Sequence, residues 1–318
     1  SAEYVETYYG IAKSGSIMVP LNWRLVASEL EYIIKDSGAT RLIYGSEFAG
    51  RVEEMVPNLK VKSYIHQGAK TPAGHLDYES WLAKASQDEP EIDAEGDDIQ
   101  FIMYTSGTTG RPKGAVISHR NMFMASVNMA INLDYVWSDI FLIVLPMFHI
   151  GALAPATVNV HKGLSTIMMK SFDPEGMFRV IEEEKVTAFL AVPSMLTFML
   201  AVPGKEKYDL SSVRWVTSGA SPVPVSLIEE YTGLGINIQQ VYGLTEAAGP
   251  VSVLRPEDAI RKIGSCGNPF FHMDVKIVDD RDNQLPVGEQ GELITRGESV
   301  MKGYWNLPEA TAEAIKNG

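Results

Sequence analysis

The stretch Thr105-Ser106-Gly107-Thr108-Thr109-Gly110-Arg111-Pro112-Lys113-Gly114 concentrates side chains that handle anions. Thr105, Ser106, Thr108 and Thr109 offer hydroxyl donors, and Lys113 offers a cation. Gly107, Gly110 and Gly114 let backbone N–H groups approach an anion closely. Such a loop has the means to hold a triphosphate. It is not the P-loop of nucleoside triphosphatases, which needs Gly-Lys followed by Ser or Thr. Lys113 follows Pro112 and precedes Gly114, so no adjacent hydroxyl is present to hold magnesium. A long surface turn uses the same residue types, but this many hydroxyls with a lysine exceed what a turn requires.

Two further clusters and one histidine sit where strands should end. Tyr242-Gly243-Leu244-Thr245-Glu246 follows the apolar run 236–241, and Ser218-Gly219-Ala220-Ser221-Pro222 closes the run 214–218. Read alone, the first is an ordinary strand-to-helix turn with Thr245 as cap. Paired with the phosphate loop it becomes the other half of a site. The second is either a seat for a planar base against backbone or a tight turn before a helix starting near Pro224. His149 lies in the loop Pro146-Met147-Phe148-His149 and either lines the site or is a satisfied core residue.

These loops need strands and helices to place them. Short apolar runs at 41–44, 61–66, 99–104, 141–145, 188–192 and 214–218 alternate with longer helical patterns. That rhythm predicts an α/β fold: two βα subdomains, 1–133 and 134–255, with largely parallel sheets flanked by helices. Ligand loops then lie beyond the carboxyl ends of the strands. After about Lys276 the pattern turns antiparallel, with 275–278 and 292–296 as strands, and residues 256–318 are expected to form a smaller β-barrel-like subdomain. The acidic segment 85–98 reads as a solvated connection.

Composition bounds the function. The 318 residues, 45% hydrophobic and 21% charged, suffice for a large core divided into subdomains. Acidic residues outnumber basic ones 40 to 27, for a net charge of -13. That field repels phosphate backbones, which disfavours nucleic acid and leaves any phosphate ligand to local donors and metal. Cys266 is the sole cysteine, so an internal disulfide and a Cys-rich zinc site are excluded, and a reducing cytoplasm is the expected location. The uncharged stretches 140–161 and 186–203 approach membrane-span length. Proline, glycine or histidine interrupts each, and both read as buried strand-loop-helix, so no transmembrane segment is expected although peripheral membrane contact stays open. The opening Ser1-Ala2-Glu3 reads as the start or interior of a helix, with no signal peptide, and the chain as a piece of a longer protein.

Residues 104–114 resemble the signature loop of the adenylate-forming superfamily, which includes acyl-CoA and aryl-CoA synthetases. The resemblance runs in order through Lys13-Ser14-Gly15, Val19-Pro20-Leu21-Asn22, Asp36-Ser37-Gly38, Pro146 to His149, Ser218 to Pro222, Tyr242 to Glu246 and Gly303-Tyr304-Trp305-Asn306. It implies an acid-thiol ligase that activates a carboxylic acid, medium- or long-chain fatty acid above all, with ATP and Mg2+ to acyl-AMP, then passes the acyl group to coenzyme A. An aryl-CoA ligase, an enzyme loading a carrier protein and a non-catalytic nucleotide sensor are the alternatives. By resemblance, Tyr242 packs on adenine, Ser218, Gly219 and Ala220 seat it, Thr245 bonds the α-phosphate, Glu246 holds magnesium and His149 orients the carboxylate. The chemistry is sensible: an aromatic face suits a purine and a hard carboxylate suits Mg2+. Acetate-specific relatives fill the position of Gly243 with a bulky aromatic, which implies a larger acyl pocket here. The family's ribose-binding aspartate and its lysine-bearing carboxyl-terminal domain are not in this sequence, so the chain alone is expected to be a poor catalyst.

Overall fold

The structure, a computed structural model, describes residues 1–92, 94–105 and 110–316. Strands β1 (Arg41–Gly45), β2 (Ser63–Gln67) and β3 (Leu76–Asp77) pair in parallel as a small sheet. β4 (Ile99–Thr105) and β5 (Lys113–Ser118) then form an antiparallel hairpin in which Thr105 faces Lys113 across the phosphate loop. A parallel return needs a crossover of a dozen or more residues, and residues 106–112 are too few. The phosphate loop is therefore held at both ends by one ladder.

The largest sheet follows. Its strands are β6 (Ile140–Ile143), β7 (Ser165–Met168), β8 (Ala188–Leu190), β9 (Trp215–Ser218), β10 (Asn237–Leu244), β11 (Gly249–Leu254) and β12 (Asn268–Pro269), in the order β12-β11-β10-β9-β8-β6-β7. From β7 to β10 every pairing is parallel, and β11 and β12 close the edge antiparallel. Strands buried on both faces need apolar residues at consecutive positions. β6 supplies them: Phe141 and Ile143 join the core on one face, and Leu142 joins the core on the other. On the first face Tyr135, Phe141 and Trp215 form an aromatic triangle with centroids 5.0 to 5.9 Å apart. Burying side chains of this size contributes about 1.5–3 kcal/mol each. The two long uncharged stretches are strand-loop-helix units, β6 with helix Ile150–Lys162 and β8 with helix Pro193–Leu200. Among the described residues no helix is long and apolar enough to cross a membrane.

Two local devices tie these layers together. Ser118 ends β5 and caps helix His119–Asn132: its Oγ accepts from Asn121 N at 3.2 Å, and Asn121 Oδ1 accepts from Ser118 N at 2.9 Å. Such a reciprocal cap is worth about 1 kcal/mol, and it fixes the helix relative to the hairpin. At the amino ends of the large sheet, Asp139 is fully buried and accepts from Arg214 Nη2 at 2.8 Å and Thr187 Oγ1 at 2.6 Å.

The last part is β-rich, as expected, but among the described residues it forms no barrel of its own. β13 (Asp274–Val278) and β14 (Glu292–Arg296) make an antiparallel ribbon. β15 (Gly303–Tyr304) leaves that ribbon to pair antiparallel with β5. Sequence pattern marks strands well but is blind to partners this distant.

Candidate nucleotide and acyl site

Three segments far apart in sequence meet beside the phosphate hairpin. The Tyr104 hydroxyl donates to Asp36 Oδ2 at 2.5 Å, and Trp305 Nε1 donates to the Asp36 carbonyl at 3.1 Å. Trp305 N also donates to Gly114 O at 2.8 Å. The base of the loop is thus fastened from two sides. Burial and the neighbouring Asp36 carboxylate push the Tyr104 hydroxyl well above the usual tyrosine range, so it stays a donor. On the outer side Arg111 lies over the Tyr32 ring, 5.1 Å being the corresponding distance from Lys113 Nζ to the Tyr304 ring centroid and 5.4 Å the one for Arg111. Gly110 is exposed at φ +119°. Ser106, Gly107, Thr108 and Thr109, also expected in the site, lie outside the described residues.

Glu246 enters the same space from the turn after β10. Thr105 Oγ1 donates to its Oε1 at 3.4 Å and the Tyr304 hydroxyl to the same oxygen at 2.8 Å. Thr105, Lys113, Glu246 and Tyr304 therefore form one cluster built from β4, β5, β15 and the 3-10 turn Thr245–Ala247. Thr245 begins that turn, with Leu244 in the cap position, so it is not a helix cap; among the described residues its hydroxyl takes no hydrogen bond. Among the described residues no three His, Cys, Asp or Glu side chains gather as a self-sufficient metal cage. A hard divalent cation that arrives with phosphates needs only one or two protein carboxylates, and Glu246 supplies one.

Tyr242 and Gly243 lie within β10 and not beyond it, because the pairing with β11 continues to Leu244 through a register shift at Tyr242/Gly243. Tyr242 is 39% exposed. A Cβ at Gly243 would lie 2.2 Å from Gly249 O and 2.6 Å from Pro250 Cα. The glycine is demanded by the neighbouring strand, and its lack of a side chain does not by itself measure an acyl pocket. Ser218 ends β9 as expected, and Gly219 approaches β10 so closely that a Cβ would meet Val241 O at 2.6 Å. This contact sets the 218–220 loop beside Tyr242. Ala220 is held at φ +69°, an uncommon conformation for a residue with a side chain. The Ser218 hydroxyl is buried without a partner among the described residues.

His149 occupies the N-cap of helix Ile150–Lys162, with its ring near Phe148 and Arg24. Loss of solvent around the ring, and then the Arg24 charge, lower its pKa from the ordinary histidine value. Among the described residues no hydrogen bond joins it to Glu246, Thr245 or Lys113. Its helix packs against β11, where Gly249 lies close to Ala154. Phe141, Ile143, Leu145, Gly151, Pro155 and Leu190 pack together between β6, β8 and the helix and leave no space there for a water molecule.

Tyr304 is the member whose role sequence reasoning missed. Its segment, Gly303 to Asn306, stood out in the sequence, but nothing local there shows which carboxylate the hydroxyl would reach.

The family described as AMP-binding enzyme matches residues 1–305. A long-chain-fatty-acid–CoA ligase, FadD13, of Mycobacterium tuberculosis is 37% identical over 324 residues, and a feruloyl-CoA synthase of Amycolatopsis sp. is 37% identical over 316. These matches cover 100% and 99% of this chain, and in both cases 62% of the relative's length. The inhibitor-bound N-terminal domain of FACL13 from Mycobacterium tuberculosis superposes with a TM-score of 0.94 at 37% identity, covering 100% of this chain and 79% of that one. The chain belongs to the AMP-binding enzyme family, the adenylate-forming group to which its sequence motifs pointed.

Proposed function

We propose that the protein containing this chain activates a carboxylic acid with ATP, forming acyl-AMP and pyrophosphate, and then transfers the acyl group to coenzyme A. The observation that carries this reading is the meeting of Glu246, Thr105 and, through Tyr304, Lys113 at the ends of the phosphate hairpin, with the partly exposed Tyr242 on the strand that leads to Glu246. An acid attacking the α-phosphorus brings two anions together, so the residues need only position the reactants and neutralise charge. Lys113 and the loop donors hold the phosphates, Thr245 donates to the α-phosphate, and Tyr242 with Ser218, Gly219 and Ala220 holds adenine. Glu246 would hold Mg2+, which when bound neutralises phosphate charge. His149, whose pKa is lowered and whose ring is therefore neutral near pH 7, donates a ring N–H to the acid's carboxylate without drawing it into an ion pair.

We read the acid as a medium- or long-chain fatty acid, a reading supported by the long-chain-fatty-acid–CoA ligase among the relatives. Two of the named relatives divide between a long-chain-fatty-acid ligase and a feruloyl-CoA synthase, so aryl acids belong in any test. We retain 1–133, 134–255 and 256–318 as proposed units of the chain, and the cytoplasm as its proposed location. The test is Glu246→Gln in the full-length protein. Acid-dependent AMP release should fall at least about tenfold and its magnesium response should weaken, since the change removes a charge-assisted contact. Unchanged turnover and magnesium response would overturn the assignment.

A further inference from the structure

Gly303-Tyr304-Trp305-Asn306 has no chemical task in the scheme above, yet it touches every charged member of the site that the structure describes. We propose that Tyr304 is a positioning residue: its hydroxyl fixes the Glu246 carboxylate in the orientation that meets the cation on ATP, while its ring seats Lys113. One short strand would then set both the anionic and the cationic partner of the triphosphate. This inference rests on the reading of Glu246 as the magnesium carboxylate.

The contacts are specific. The Tyr304 hydroxyl lies 2.8 Å from Glu246 Oε1, against 3.4 Å for Thr105, so Tyr304 supplies the closer hydrogen bond. Both engage Oε1, and among the described residues no donor reaches Oε2. The Tyr304 ring stands 5.1 Å from Lys113 Nζ, within cation–π reach.

Backbone bonds determine where Tyr304 stands. Met301 N donates to Glu246 O at 2.7 Å, Lys302 N to Val116 O at 2.9 Å and Trp305 N to Gly114 O at 2.8 Å. Tyr304 pairs with Ala115, two residues along from Lys113, and its N–H donates to Thr311 Oγ1 at 2.8 Å. Gly303 precedes it at φ +145°, and Thr311 side-chain atoms approach within 2.6 Å of where a Cβ would lie. The segment therefore locks the backbone of Glu246 and the strand of Lys113 before Tyr304 contacts their side chains. A structural tyrosine needs one partner for its hydroxyl; this one joins the two charges on which nucleotide binding depends.

The test is a double-mutant cycle in the full-length protein, read by calorimetry of ATP binding with and without magnesium. Tyr304→Phe keeps the ring and every backbone bond, and a thermal melt checks that the fold is retained. It should weaken magnesium-dependent ATP affinity about tenfold and leave metal-free ATP binding unchanged, since it removes one hydrogen bond to a charged group. Glu246→Gln should weaken the same term, and the double variant should be no worse than Glu246→Gln alone, because Tyr304 acts through that carboxylate. Tyr304→Leu, which also removes the ring, should lower metal-free ATP affinity as well. Wild-type magnesium response in Tyr304→Phe, or losses that simply multiply in the double variant, would overturn the inference. A Glu246→Gln protein with normal magnesium response would instead sink the reading of Glu246, so the two failures are told apart.

Discussion

Gly243→Ala separates two explanations of one glycine. If Gly243 exists to leave room for an acyl chain, alanine there should shorten the preferred acid and leave stability alone. The structure gives a different account. The added Cβ would lie 2.2 Å from Gly249 O, where ordinary contact begins at 3.4 Å, so the backbone of β11 would have to retreat by more than an ångström. Backbone cannot rotate away as a side chain can, and overpacking of this kind costs about 1–3 kcal/mol. At the upper end that lowers Tm by about 4–5 °C for a chain of this length. Gly249 also adjoins Ala154, so a shift in β11 reaches the helix that begins after His149. Turnover should therefore fall for short, medium and long acids together, without a change in their ranking. The assay is a thermal melt paired with AMP release across a chain-length series in the full-length protein. An unchanged Tm with a clear shift toward shorter acids would refute the steric argument and restore the pocket explanation.

Other expectations follow from separate parts of the molecule. Arg214→Gln strands the fully buried Asp139 carboxylate and should cost about 3 kcal/mol, read as a lowered Tm. The intrinsic ATP affinity of the protein that remains folded should be unchanged, and a melt like wild type would show the pair to be dispensable. Lys113→Met should weaken ATP binding about tenfold or more by calorimetry with little change in Tm, since it removes a cation from the phosphate loop and leaves the β4–β5 ladder intact. His149 should titrate, by NMR, below the ordinary value of about 6.5. The folded protein resists protonating it while the unfolded chain does not, so this group lowers stability as pH falls through the ordinary histidine range. Arg24→Gln should move the midpoint upward, and no movement would remove the Arg24 charge as a cause.

What the sequence displayed and what it hid divide along the range of the contact. Strand-loop-helix units such as β6 with helix Ile150–Lys162 were readable because hydrophobic runs and Pro155 are local signals. The anion loop was readable because its donors are contiguous. The antiparallel closure of β4 on β5 follows from their short connection, which is too brief for a parallel crossover. Tyr242 was placed past its strand because the partner that prolongs β10 is β11, which pairs through a bulge no pattern announces. The Tyr304–Glu246 contact spans 58 positions and the Trp305–Asp36 contact 269. Such convergence follows from β15 joining β5, which composition and periodicity do not express. The expected barrel failed for the same reason: its last strand belongs to another sheet.

The most direct test of the account is release of AMP and pyrophosphate by the full-length protein, over short, medium, long and aromatic carboxylates, with and without coenzyme A. The account predicts release that requires ATP, magnesium and an acid, is strongest with medium or long fatty acids, and yields acyl-CoA when coenzyme A is present. Nucleotide binding without release for any acid would contradict it.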